Sequence, residues 1–182
     1  ESITKIAKLL LLPIFTFYLS PEDFGVASMV SLIVTVMILI YDCGLISGTT
    51  RLYHDTDDIE QRQILLGSLF YYSLCVPLFF ILLSIFIGPY IFSKIFTNFD
   101  FYPYGFIAII FSFFAQPRRI WVLLKTQQHE IHITSFYSVI ALIINLLISV
   151  ILIVVFELGI FGKIISMFPS AIFILVIAFR DI

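Results

Sequence analysis

Asp42, Arg51, Arg118, Arg119 and Asn145 stand in a chain whose other residues are overwhelmingly apolar, and in such surroundings each of them is expensive to keep. A guanidinium is planar and binds phosphate through two parallel N–H donors. A cavity lined by Arg51, Arg118 and Arg119 would therefore suit a phosphorylated amphiphile. Gly44, Ser47, Gly48 and Arg51 fall on one face of a continuous helix, with the two glycines in a GxxxG spacing that lets another helix or a ligand approach closely. The same face reads equally as a packing seam that ends in an arginine snorkelling to headgroups. Thr35, Asp42 and Thr49 recur every seven residues on a different face. A carboxylate several residues deep costs on the order of 2.5 to 3.5 kcal/mol, so Asp42 must face protein or water, either as a proton or ion-coupling site or as a satisfied structural carboxylate. Asn145, alone within ALIINLLISVILIVV, is an interhelical hydrogen-bonding group.

Arg118 and Arg119 follow Pro117 directly. If the helix runs on to Lys125, Arg118 lies about 10 Å inside the membrane surface and reaches a central cavity. If it ends at Pro117, IWVLLKTQQHE is an interfacial segment with Trp121 in the aromatic belt. The apolar run Ile120 to Leu124 favours the continuous helix. His129, Glu130 and His132 lack the i, i+4 spacing of the helical zinc motif, and Cys43 and Cys75 sit in apolar runs as small hydrophobes, so neither a metal nor a disulfide is expected. No Walker loop, dinucleotide fingerprint or nucleophile elbow occurs. No cofactor, enzymatic chemistry or nucleic-acid partner is expected.

The elements that must carry these groups follow from composition. The chain is 61% hydrophobic and 12% charged, with 21 Phe and a mean hydropathy of +1.12. A soluble fold of this size has too little interior for that much apolar surface. Gln63 to Gly88 alone is 26 residues without a charge, and about 20 suffice to cross a bilayer core of roughly 30 Å. Charge, Pro and Gly divide the sequence into six apolar spans at about 3–20, 24–50, 63–88, 103–125, 133–156 and 160–179. The expected fold is all-α: a polytopic membrane protein, an up-and-down bundle of six transmembrane helices whose short linkers make successive spans antiparallel neighbours. With the N-terminus inside, Lys5, Lys8, Arg51, Arg62, Arg118, Arg119, Lys125 and Arg180 lie on the inner side and only Lys94 and Lys163 outside, 8 against 2. That bias selects cytoplasmic N- and C-termini. Pro13, Pro77, Pro117 and Pro169 fall inside spans and are expected to kink them. The chain opens at Glu1 and is apolar almost at once, which points to a piece of a longer protein whose first segment is a retained helix.

PIFTFYLSPEDFGVASMVSLIVTVMILIYDCGLISGTTRLYHD carries a resemblance. The turn Leu19 to Gly25 and the DCGLISGTTRLY block resemble the N-terminus of the Wzx-like polysaccharide-biosynthesis flippases of the multidrug/oligosaccharidyl-lipid/polysaccharide exporter superfamily. ELGIFGK, with Asn145 upstream, agrees more weakly. The resemblance implies residues 1–182 as the first lobe of a two-lobe transporter, with a C-terminal lobe in the parent chain. The implied activity is translocation of undecaprenyl-pyrophosphate-linked oligosaccharide across the bacterial inner membrane for O-antigen, capsule or exopolysaccharide synthesis. A polysaccharide polymerase is a further implied partner. Arg51 matches the arginine that closes the family's second helix and would help hold the pyrophosphate. Phe17 stands where the family usually carries arginine, so part of the cationic lining must come from elsewhere, with Arg118 as one source. Two alternatives are a drug/cation antiporter of the same superfamily, with Asp42 as coupling carboxylate, and a non-transporting scaffold for glycosyltransferases.

Overall fold

Ser20 caps a helix of the computed structural model, which describes residues 15–45, 48–49, 51, 59–96, 99 and 101–181. The Ser20 hydroxyl accepts the Asp23 N–H at 3.2 Å, and the Asp23 carboxylate accepts the Ser20 N–H at 2.8 Å. With Pro21 at the first helical position, this reciprocal capping fixes the start of α1 (Pro21–Asp42). The Leu19 to Gly25 turn is thus a helix start written into the sequence. α1 ends because Cys43 takes the left-handed conformation (φ 43°, ψ 28°) and Gly44 follows at φ 78°. Helical backbone is found again at Leu45, Gly48, Thr49 and Arg51. The expected second span, 24–50, is therefore not one uninterrupted helix. The shared faces drawn for Gly44, Gly48 and Arg51, and for Thr35, Asp42 and Thr49, do not carry across the break.

α2 (Ile59–Ile95) is 37 residues long and encloses Pro77 and Pro89. At 1.5 Å per residue it measures about 55 Å, well beyond a bilayer core, so it must tilt or project. It exceeds the expected 63–88 at both ends because its polar and aromatic flanks extend the helix past the apolar window. A kinked segment, Phe101–Gly105, leads into α3 (Phe106–Gln127). Tyr102, the residue before Pro103, is extended there (φ −99°, ψ 134°), as the proline ring demands of its predecessor. α3 continues through Pro117, which settles the choice left open above in favour of the continuous helix. α4 (Ile131–Val150) runs into a π-helical turn, Ile151–Val155. The last span is bent at Ser166 into α5 (Gly159–Ile165) and α6 (Met167–Asp181), with Pro169 three residues beyond the bend.

No strand occurs among the described residues, and five stretches, Pro21–Asp42, Glu60–Ile95, Phe101–Gln127, Ile131–Val155 and Gly159–Asp181, are long and apolar enough to cross a membrane. The chain is an all-α, multi-pass membrane protein. The first of the six expected spans lies outside the described residues up to residue 14; Phe15 to Tyr18 are helical.

α3 is the axis of the bundle. In the α3 span, 44% of the most apolar window is buried, against 17% for the spans of α1, α2 and α4. α1 and α2 pack principally on α3, α6 packs on α3 and α4 about equally, and Pro21–Asp42 and Ile59–Ile95 make few contacts with each other. The two expected neighbours, 24–50 and 63–88, meet chiefly at and beyond the end of α1, where Tyr41 approaches Phe80 and Leu45 packs with Leu65, Leu66 and Leu69. The linker joining them sets only how far apart their ends lie, and the apolar face of α3 offers each of them a better surface.

The ends of the helices alternate. Phe92, Phe96, Phe99, Phe101 and Tyr104 form a chain of edge-on and tilted rings where the end of α2 meets the start of α3, and Val26, Ala27 and Val30 from early α1 pack there too. Ile153, at the end of the α4 span, packs with Leu19 and Phe24. At the opposite end, the last turns of α3 and α6 meet early α2 and α4 through Phe70, Trp121, Ile133 and Ile177. Large apolar side chains of α2 such as Phe79, Leu82 and Phe86 point outward, as lipid-facing residues do.

Candidate functional site

Most described basic residues gather at one end of the bundle. Arg51, Arg62, Arg118, Arg119, Lys125 and Arg180 belong to the end where α1, α3 and α6 terminate, and Lys94 and Lys163 belong to the aromatic end. The end of α1 and the residues just beyond it meet α2 at this basic end: the Tyr41 and Phe80 ring centroids are 5.5 Å apart, and Leu45 packs with Leu65, Leu66 and Leu69 beside Ile120 and Leu124 of α3.

Arg119 reaches the end of α1. Its Nη2 lies 4.0 Å from Asp42 Oδ2, the last residue of α1. Asp42 is 18% exposed and Arg119 37%, so the pair sits half in and half out of the protein. Asp42 thus faces protein, as its cost in lipid requires. Arg118, one residue earlier, leaves α3 in another direction: its Nη2 reaches Ser138 Oγ of α4 at a long 3.5 Å, and the residue is exposed. Successive residues on a helix are about 100° apart, so adjacent arginines cannot serve one cavity equally. The structure brings Asp42 and Arg119 together and turns Arg118 away from them.

Next to the pair is a small cavity lined by Asp42, Leu45, Thr49, Leu69, Tyr72 and Gln116, among others. Thr49 is buried and donates to Leu45 O at 2.6 Å, so it reaches the same cavity as Asp42 despite the break between them. Gln116 is 1% exposed. It was missed in the sequence, although the signal was there: an amide inside FSFFAQPRRIW, three residues before Arg119 and so on its face. One helical turn farther along, the Tyr41 hydroxyl and Ser112 Oγ are 3.0 Å apart and fully buried, fastening α1 to α3.

Gly44 and Gly48 line a neighbouring groove of about 280 Å³ with Cys43, Leu65 and Ser68. A Cβ built on either glycine would meet nothing within 4 Å. Among the described residues they face open space and not a tight helix–helix seam. Arg51 is exposed in helical backbone just beyond them.

A second polar cluster closes the other side of the basic end. Lys125 Nζ donates to Glu130 Oε2 at 2.8 Å and lies 3.6 Å from Asp181 Oδ2, and Trp121 Nε1 donates to the same Asp181 oxygen at 3.2 Å. These contacts tie the ends of α3 and α6 to the start of α4. Asn145 Nδ2 donates to Ser166 O at 2.9 Å, the interhelical hydrogen bond expected of it, made to the carbonyl where the last span bends. Among the described residues no group of three or more His, Cys, Asp or Glu could hold a metal ion.

Comparison with protein-family models, with curated proteins and with solved structures finds no match. The functional reading therefore rests on the chemistry of this end of the bundle and on the resemblance of the Leu19–Gly25 and DCGLISGTTRLY segments.

Proposed function

We propose that this chain is a lobe of a flippase that moves a polyprenyl-pyrophosphate-linked oligosaccharide across the bacterial inner membrane for surface polysaccharide synthesis. The single observation that carries this reading is the gathering of Arg51, Arg118, Arg119 and the other basic residues at one end of the bundle, beside the groove lined by Gly44 and Gly48. A doubly charged pyrophosphate needs guanidinium donors and a hydrated recess, while its polyprenyl tail stays in lipid beside the outward Phe and Leu side chains of α2. Arg51 and Arg119 are the anion-binding residues in this proposal, with Asp42 holding Arg119 in place before substrate arrives. Arg118 serves the α4 side and the interface. The basic bias of the same end makes it the cytoplasmic one by the positive-inside rule, which is where such a substrate is made. A second lobe, as the resemblance implies, would supply the facing wall, and alternating access would come from rocking of the two. The chain would carry out no bond-making chemistry.

The test is complementation of surface polysaccharide in a bacterial strain lacking its own flippase, using the full-length protein. Arg51→Ala and Arg119→Ala should abolish export with the protein still in the membrane, and Arg51→Lys should restore it only in part because an ammonium lacks the bidentate fork. Arg118→Ala should export almost normally. Normal polysaccharide from both the Arg51→Ala and the Arg119→Ala strains would remove the anion site from the mechanism.

A further inference from the structure

Two buried polar atoms beside the Asp42–Arg119 pair have no hydrogen-bond partner among the described residues: Gln116 Oε1 and Arg119 Nη1. Both belong to α3, one turn apart, and Gln116 is 99% buried, being 1% exposed. The first atom can only accept a hydrogen bond and the second can only donate one. They cannot be satisfied by the same anion or by the same cation. An anion would suit Arg119 and repel the amide oxygen, and a metal cation would suit Gln116 and repel the guanidinium.

The cavity that Gln116 and Asp42 line offers about 10 Å³ of space for a water-sized centre, which is the room that about one water molecule requires. Leu45, Thr49, Leu69, Tyr72, Ile120 and Leu123 complete its walls, and a space of that size admits nothing larger than a water. We infer that one ordered water molecule occupies this cavity, accepting from Arg119 Nη1, donating to Gln116 Oε1 and keeping its second proton for the Asp42 carboxylate. Water is the small ligand that both accepts and donates, and three polar partners are what a buried water commonly has. The bound water makes a hydrated ion pair of Asp42 and Arg119. At 4.0 Å their direct contact is too long for a good hydrogen bond, and the shared water lets the charges part without leaving either bare in a poorly polar setting. The inference stands on these atoms and not on the transport reading.

Hydroxyl-radical footprinting of the full-length protein in lipid nanodiscs, read by mass spectrometry, tests it. Radicals made from a resident water oxidise the side chains beside it even where bulk solvent cannot reach. Leu69 and Ile120, 7% and 3% exposed, line the cavity, and Ile174, 0% exposed, lies in another cluster and serves as control. The expected result is oxidation of Leu69 and Ile120 several-fold above Ile174, lost in Gln116→Leu, with a melting temperature for that variant a few degrees below wild type. Wild-type labelling of Leu69 and Ile120 no greater than that of Ile174 overturns the inference. So does a Gln116→Leu protein that melts above wild type, because an amide without a partner is improved by an apolar replacement.

Discussion

Arg119 of α3 reaches 4.0 Å across to Asp42, which is the residue at which α1 stops. A cation late in one helix is set against an anion at the end of another, both at the basic end. Neither residue is fully buried, so the pair contributes modestly. In a double-mutant cycle with Asp42→Asn and Arg119→Gln, measured by thermal unfolding in nanodiscs, the coupling should be about 1 kcal/mol. Additive single effects would show that the two side chains do not interact.

Gly44 and Gly48 should respond oppositely to alanine. Gly44 has φ 78°, where a Cβ is strained, so Gly44→Ala should cost about 1 kcal/mol. Gly48 has open space around a would-be Cβ and a helical backbone, so Gly48→Ala should be neutral or stabilising by about 0.4 to 1 kcal/mol. Thermal melts of the two variants check this. A destabilised Gly48→Ala would restore the packing seam that the GxxxG spacing first proposes.

Trp121 is the one tryptophan of the chain and is 1% exposed. Its emission should be blue-shifted and poorly quenched by acrylamide. Asp181→Ala removes the acceptor of its indole N–H and the partner of Lys125, and should raise the quenching constant while leaving the helix content by circular dichroism unchanged. Equal quenching in both proteins would mean that the cluster does not hold the end of α6 down.

Single cysteines at Lys94 and Gln128, in a background without Cys43 and Cys75, should be labelled from opposite sides of the membrane by an impermeant maleimide. Both positions are exposed and lie at opposite ends of the α3 span. Labelling of both from the same side would contradict the alternation of helix ends.

The limits of most described spans are legible in the sequence because lipid imposes a length on every apolar run. Four of the six expected spans coincide with described helices to within a few residues at most ends, α2 being the one that overshoots. What resists reading is local geometry. The break at Cys43 and Gly44 is a single-residue conformational event inside an apolar run, and Cys gives little warning of a positive φ. Which of two adjacent arginines faces Asp42 depends on the rotation of α3 about its axis, and that is set by Tyr41, Ile33 and the α2 side chains packed on it. Gln116 is visible as a polar residue but acquires meaning only once Asp42 is placed opposite it. Asn145 was readable because an isolated amide in hydrocarbon has few ways to be satisfied.

The Asn145 contact is also lopsided in what it asks of its two residues. The acceptor is the main-chain carbonyl of position 166, which any residue supplies, whereas the donor is one particular side-chain amide. Ser166 is fully buried with its hydroxyl turned back to Lys163 O at 2.7 Å, so its replacement is limited by volume and not by chemistry. Random mutagenesis of this region should therefore recover alanine and glycine alleles at 166 far more readily than any allele at 145. The bend in the last span is in that sense held by one residue's identity and by another's smallness.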